Sequence, residues 1–366
     1  MRWPFGLLMI AATGCAGADA PCADGGAGTV CRVAGIGESA FNGDGLAAER
    51  TSFYLPSQVR RGPDGLLYVM DFNNMRLRRI EADGTVSTVA GAGIHELALI
   101  GLPANQTSLE NPIDFEFLAD GRILMVSSHD PRVLVIDHDG TLQVFAGDRL
   151  PGTIGNEGDG GPALAARFVE LAGIAVDPDG AVYVADRGAN RVRVIRDGIV
   201  TTFAGTGVPG FGGDGGTAAR AQLDEPSALV IDAAGTVFIS DTGNCAIRTV
   251  SPSGAISTLA GVAYEGYSGD GGPAGSAALA HPQGLAVAAD GTVFISDRYN
   301  SRIRRVGTDG MISTIAGTGT KGLEGDGGPA LEAEFGYLGA IQLDDDGGLL
   351  VADQTNSVIR KIVGPL

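Results

Sequence analysis

Charge, aromatic rings and histidine are all scarce in this chain: 19% of its 366 residues are charged, 6% are aromatic and four are histidine. Tryptophan occurs once, at Trp3. Basic residues are outnumbered, with 25 Lys and Arg against 43 Asp and Glu, for a net charge of −18. Such a balance repels a nucleic-acid backbone or an anionic membrane surface; it serves solubility and leaves a cation or a basic partner as the sharper alternative. The apolar run at residues 3–12 is too short to span a bilayer. No Gly-x-Ser-x-Gly elbow occurs and no histidine is linked to a serine by its position, which removes the support for conventional nucleophilic catalysis.

What is abundant is glycine, 59 residues, alongside 44% hydrophobic residues, a composition suited to short strands joined by tight turns. The dipeptide Ala-Gly ends an apolar run at Ala34, Ala90, Ala146, Ala204, Ala260 and Ala316, at spacings of 56, 56, 58, 56 and 56 residues. A unit of this length holds four short strands, cannot bury its own apolar surface, and must stack on copies of itself. The copy from His281 to Gly317 shows the plan. Leu285-Ala286-Val287 is a first strand, Ala289-Asp290-Gly291 a turn, residues 292–296 a second strand closed by Asp297, residues 302–306 a third and residues 312–316 a fourth. Consecutive β-branched and aromatic residues in the second strand fit a strand covered on both faces.

The aspartate that closes the second strand recurs at Asp71, Asp186, Asp241, Asp297 and Asp353. An asparagine follows three residues later at Asn74, Asn244, Asn300 and Asn356, and an arginine seven later at Arg78, Arg193, Arg248, Arg304 and Arg360. This pattern resembles the NHL repeat, whose copies form β-propellers, over about nine-tenths of the chain. The WD40 alternative fails, since its Trp-Asp signature has no counterpart here. The expected fold is all-β, a six-bladed propeller of four-stranded blades over residues 30–366. First strands should start near Pro56, Pro112, Ala172, Pro226, Pro282 and Leu338, so that residues 30–34 supply the fourth strand of the last blade and close the ring.

Arg2, the apolar run and Ala12-Thr13-Gly14-Cys15 form an export signal over residues 1–15, followed by a linker over 16–29. Its end resembles a bacterial lipoprotein box, with Ala12 where leucine is usual, which implies lipidation at Cys15 and tethering to a membrane through that anchor alone. Cleavage after Ala20 is the competing reading, disfavoured by Pro21. The expected location is the cell envelope, lipid-anchored, or else the periplasm or extracellular space. With Cys15 lipidated, Cys22 and Cys31 can pair across a short loop, leaving Cys245.

Function must lie where the copies differ. The loops carry Gly43-Asp44-Gly45 and its counterparts at Asp159, Asp214, Asp270 and Asp326. One aspartate per loop is too few for calcium, and a role in starting the short helical turn that follows is preferred. The repeated Asp, Asn and Arg are read as scaffold. One register does vary: Leu55, Asn111, Glu170, Glu225, His281 and Tyr337, each just before a first strand, should ring the channel mouth. Gluconolactonase-type and virginiamycin-lyase-type propellers hold a divalent cation near the channel with Glu, Asn and His groups; the resemblance is of arrangement only. On that reading Glu170 and Glu225 hold Ca or Mg, Asn111 adds an oxygen, and His281 is ligand or catalytic base; the plainer reading is a polar, water-filled rim. A zinc-dependent amidating lyase needs a clustered histidine set, which His95, His129, His138 and His281 do not suggest.

Blade 2 is separate: Ser127 replaces the aspartate, Leu134 replaces the arginine, and it carries His95 and His129. Its loop stretch Leu97–Leu102 is a partner patch if exposed and a buried cap if not. Asn105-Gln106-Thr107 matches a glycosylation sequon, a short and common match. The first function expected is a binding or scaffold module for a protein or cell-envelope component; the second is a cation-assisted lyase or hydrolase at the channel mouth. Non-reducing peptide mapping of exported protein should find Cys22 joined to Cys31, and free thiols at both would reject that pairing.

Overall fold

The computed structural model describes residues 26–148 and 154–366. Six antiparallel sheets follow one another along the chain, each ordered first, second, third and fourth strand outward from a central channel, and blade 5 adds the two-residue strand Gly272–Pro273 outside its fourth. Blade 1 comprises Pro56–Arg61, Leu67–Asp71, Arg76–Ile80 and Val86–Ala90, and blade 2 comprises Pro112–Phe117, Ile123–Ser127, Val133–Ile136 and Leu142–Ala146. Blade 6 takes three strands from Leu338–Leu343, Leu349–Asp353 and Val358–Ile362 and its fourth from Val30–Ala34. Val30 pairs with Ile362 and Cys31 with Lys361, so head and tail seal the ring as the repeat predicts.

Second strands are almost wholly buried, because each is sandwiched between neighbouring blades. The cores are therefore inter-blade layers: Met70 and Leu77 of blade 1 pack with Phe115 and Met125 of blade 2. Blade 3 starts at Leu171, one residue before Ala172, and the first strand of blade 5 is Leu285–Val287, as read from that copy, three residues after Pro282. In blade 5 the Ser296 hydroxyl takes the Gly284 N–H at 2.6 Å and donates to Gly339 O at 2.8 Å, so a side chain occupies the start of the ladder.

The Ala-Gly marker has a steric origin. Gly91, Gly205, Gly261 and Gly317 all have positive φ, and a Cβ at any of them would collide with the carbonyl oxygen of Met75, Asn190, Cys245 or Ser301. Those four carbonyls belong to left-handed residues that end the second-to-third turns. The alanine before each glycine is fully buried.

The repeated polar residues lock each blade to its preceding connection. Asp297 accepts from the Ala280 N–H at 2.7 Å, Asn300 Nδ2 at 2.8 Å and Arg304 at 3.2 Å. Arg304 continues to Asp270 at 2.7 Å, beneath the Tyr267 ring. Blades 1, 4 and 6 repeat the arrangement through Arg78, Arg248 and Arg360, and Arg193 of blade 3 meets Asp159 at 2.6 Å; all five guanidinium side chains are inaccessible to solvent. The Gly-Asp-Gly aspartates thus pair with arginine instead of starting the 3-10 turns. The caps of those turns are Ala47, Pro162, Thr217, Pro273 and Pro329, and none makes a side-chain cap bond. In blade 2 the substitute is local: buried Arg132 grips buried Asp130 through two bonds of 2.6 Å and donates to Ala98 O at 3.0 Å.

Removing one member of such a buried pair leaves its partner desolvated, at a cost of about 3–5 kcal/mol. Arg304→Ala should therefore lower the urea midpoint at unchanged m-value, whereas a midpoint equal to wild type would show that the pair does not hold the blade. Burial pushes the carboxyls of Asp71, Asp186, Asp241 and Asp353 up to about 6, against hydrogen bonds and arginine charge that pull them down. Their unfolded value is about 3.9, so between these limits the folded state binds more protons. Their contribution is complete below about pH 4 and is lost as pH rises through 6; self-repulsion at net −18 acts in the same direction. Tm should accordingly be higher at about pH 5.5 than at about pH 7.5, and the reverse order would refute this assignment.

Candidate functional site

First strands line the channel. Its middle is narrow and polar, bounded by Ser57, Gln58, Asp114, Ser227 and Gln283, and toward the first-to-second turns it widens into a cavity of about 310 Å³. First-strand residues including Val176, Leu229, Ile231, Leu285 and Ile341 line it, but the Leu229, Leu285 and Ile341 side chains are buried in the cores between blades and polar atoms form most of the wall. Against this wall stands one charged group: Arg60 meets Glu116 at 3.0 Å and Asp114 at 3.3 Å. Asp114 also accepts from Gln58 Nε2 at 2.7 Å and the Ile174 N–H at 3.0 Å. Burial pushes the Glu116 carboxyl up; it also opposes the Arg60 charge, but Glu116 and Asp114 outweigh it and raise the guanidinium. The sequence reading missed this group, although it contains the signal: Arg60 and Glu116 are 56 residues apart, as are Gln58 and Asp114. Equivalent positions on adjacent blades thus carry complementary polar groups where Ala175, Val230, Ala286 and Gln342 stand elsewhere.

At the opposite end the six residues that precede the first strands are not one constellation. Leu55, Asn111, Glu225 and His281 share a left-handed backbone, φ 47° to 53°. Glu170 is ion-paired with Arg187, and exposed Glu225 donates its N–H to Asn190 Oδ1 at 2.9 Å. His281 and Tyr337 are joined through Tyr299, with ring centroids 4.5 Å and 4.9 Å apart. Lys321 lies 3.9 Å from the Tyr337 ring centroid and Arg298 flanks both tyrosines. Arg298 donates to Gln283 Oε1 and to Leu338 O at 3.1 Å, and its burial pulls its pKa down. The mouth is thus an aromatic and cationic row beside an Arg187–Glu170 pair.

Asn111 belongs to a different group. Its Oδ1 lies 2.6 Å from His95 Nε2 and 3.0 Å from His129 Nδ1. Glu110 Oε1 lies 2.7 Å and 3.5 Å from the same nitrogens. Among the described residues, His95, Glu110 and His129 are the one set of three or more His, Cys, Asp or Glu side chains whose ligand atoms converge, and neither Glu170 nor Glu225 is in it. Histidines do cluster, contrary to expectation, but on the rim of blade 2. Glu110 carried no signal of its own in the sequence. The contact arises because the blade 2 connection doubles back, placing His95 beside Leu109 in a parallel bridge.

Cys31 is disulfide-bonded, with its partner outside the described residues, and Cys245 is a buried free thiol whose pKa burial raises. Cys15, Cys22, the signal at 1–15 and most of the linker at 16–29 also lie outside the described residues. The blade 2 stretch is split: Ala98 is buried, while Leu99, Ile100 and Leu102 are exposed. No helix among the described residues is long and apolar enough to cross a membrane.

The family profile described as "Teneurin NHL domain" matches residues 30–211 and 261–324. Teneurin-m of Drosophila melanogaster is 28% identical over 365 residues, an alignment that covers 88% of this chain and 12% of that protein. The chain thus spans about an eighth of the length of that relative. Among solved structures, an auxiliary nutrient binding protein from Bacteroides thetaiotaomicron superposes with a TM-score of 0.66 at 14% identity, covering 91% of this chain and 75% of that one. A streptogramin B lyase superposes with a TM-score of 0.54 at 12% identity, covering 85% and 94%. At these identities the two structures are similar in fold.

Proposed function

The chain belongs to the teneurin NHL domain family, and from that premise we propose that it is an exported, membrane-tethered binding module that recognises a protein or cell-envelope component through its loop-rich face. One observation carries the reading. Of the large apolar side chains exposed among the described residues, all but Ile199 and Met311 sit on the fourth-to-first connections or a second-to-third turn. Leu99, Ile100 and Leu102 are grouped on one connection, and Tyr299 stands in the aromatic row. Apolar surface carried on the connections of all six blades and grouped most closely at Leu99, Ile100 and Leu102, amid an otherwise acidic molecule, suits a partner with its own apolar and basic groups.

The disulfide at Cys31 supports an oxidising compartment, and lipidation at Cys15 supplies the tether. The binding reading draws on relatives named as a teneurin and a nutrient binding protein. A cation-assisted lyase or hydrolase centred on Glu170 and Glu225 has less support, because Glu170 is engaged by Arg187.

Metabolic palmitate labelling should mark the full chain in membrane fractions, and Cys15→Ser should abolish the label and release the protein. That soluble Cys15→Ser protein should be retained on isolated envelopes of the producing cells. Adding Leu99→Asp and Tyr299→Asp should weaken retention at least ~10-fold, about 1.4 kcal/mol. Equal retention of both proteins would remove the loop face as the binding surface.

A further inference from the structure

We propose that His95, Glu110, Asn111 and His129 form a mononuclear site for a divalent transition-metal ion of the zinc class on the rim of blade 2. Four donor atoms converge there from three segments of chain, with nitrogen-to-oxygen separations of 2.6, 2.7, 3.0 and 3.5 Å. Hydrogen bonding alone satisfies this arrangement poorly. Each ring nitrogen carries at most one proton yet faces two oxygens, and both the carboxylate and the amide oxygen are acceptors. A cation at the centre engages all four lone pairs at once. Two imidazole nitrogens with one carboxylate and one amide oxygen select an ion of intermediate softness over Ca or Mg, which prefer oxygen alone.

The backbone holds the donors in place. The Leu109 N–H donates to Ile94 O at 3.2 Å and the Ser128 N–H to Asn111 O at 3.0 Å, tying the His95, Glu110–Asn111 and His129 segments together. Asn111 sits in the left-handed conformation used at this position in other blades, and Asp130 and Arg132 lock the turn directly after His129. The scaffold is general while the side chains are not. The parallel bridge made by His95 is made in blades 1, 3 and 5 by Ser39, Ile154 and Glu265. The blade that exchanged the repeated Asp and Arg for Ser127 and Leu134 is the one that gained two imidazoles. Both rings are solvent-accessible, at 55% and 64%, so an ion can enter, and they can be replaced without opening the core.

The test uses untagged full-length protein, dialysed against chelator and titrated with zinc in competition with a chromophoric chelator, with metal content measured after gel filtration. One equivalent of zinc should bind, and His95→Ala with His129→Ala should weaken binding more than ~10-fold, as should Asn111→Ala. Zinc should raise the Tm of the wild type and leave that of the double variant unchanged, since an ion that binds only the folded state stabilises it. Cobalt should give a visible d–d spectrum that the double variant lacks, and calcium at the same concentration should neither bind nor shift Tm. Zinc binding equal in wild type and the folded double variant, or no zinc binding by wild type, would overturn the site. Either result is independent of envelope retention, which is measured on the Cys15→Ser protein without added metal.

Discussion

A buried arginine held between two carboxylates is the interaction on which this propeller depends. Arg78, Arg248, Arg304 and Arg360 each bridge the aspartate ending a second strand and the aspartate of the preceding connection. One contact lies inside the blade, and the other ties a long connection to its edge alongside backbone hydrogen bonds. A guanidinium suits the task because its planar fork serves two acids at once while an aromatic ring covers its face. Backbone hydrogen bonds hold the same connections, and both the aromatic row at the channel mouth and the blade 2 histidine pair lie on or beside them.

This division of labour explains why so little chemistry sits in the repeated residues. Once Asp, Asn, Arg and the Gly-Asp-Gly aspartate are committed to one another, variation is left to the residues around them. Three neighbourhoods use that freedom: the Arg60–Asp114–Glu116 group in the channel, the aromatic row at its mouth, and the histidine pair on blade 2. Two of them involve blade 2, the blade that found its own pair in Asp130 and Arg132. Loss of the common lock and gain of distinctive side chains go together there.

Blade number, strand order and ring closure were legible in the sequence because a steric requirement stamps them at every turn: Ala-Gly recurs where a Cβ would strike a carbonyl oxygen. The scaffold role of the repeated Asp, Asn and Arg was legible because their spacing is local, and the structure joins the Asp and Arg as ion pairs. What could not be read was the path of the connections. Asn111 stood out as an oxygen donor, but its partners are His95 and His129, 16 and 18 residues away, brought near by a doubling back that no local propensity encodes. The same blindness placed Glu170 and Glu225 in one site, when neighbouring side chains draw the first to Arg187 and leave the second in solvent. A role in starting helical turns was assigned to the loop aspartates because the arginines they meet are 34 residues away.

Sealing the ring with Val30–Ala34 fixes where the leading segment departs. That strand is the outermost of blade 6, so the described chain enters the fold at the circumference and not at either opening of the channel. Entry at the circumference leaves both ends of the channel clear of the first described residues, and blade 1 separates that point from the blade 2 rim.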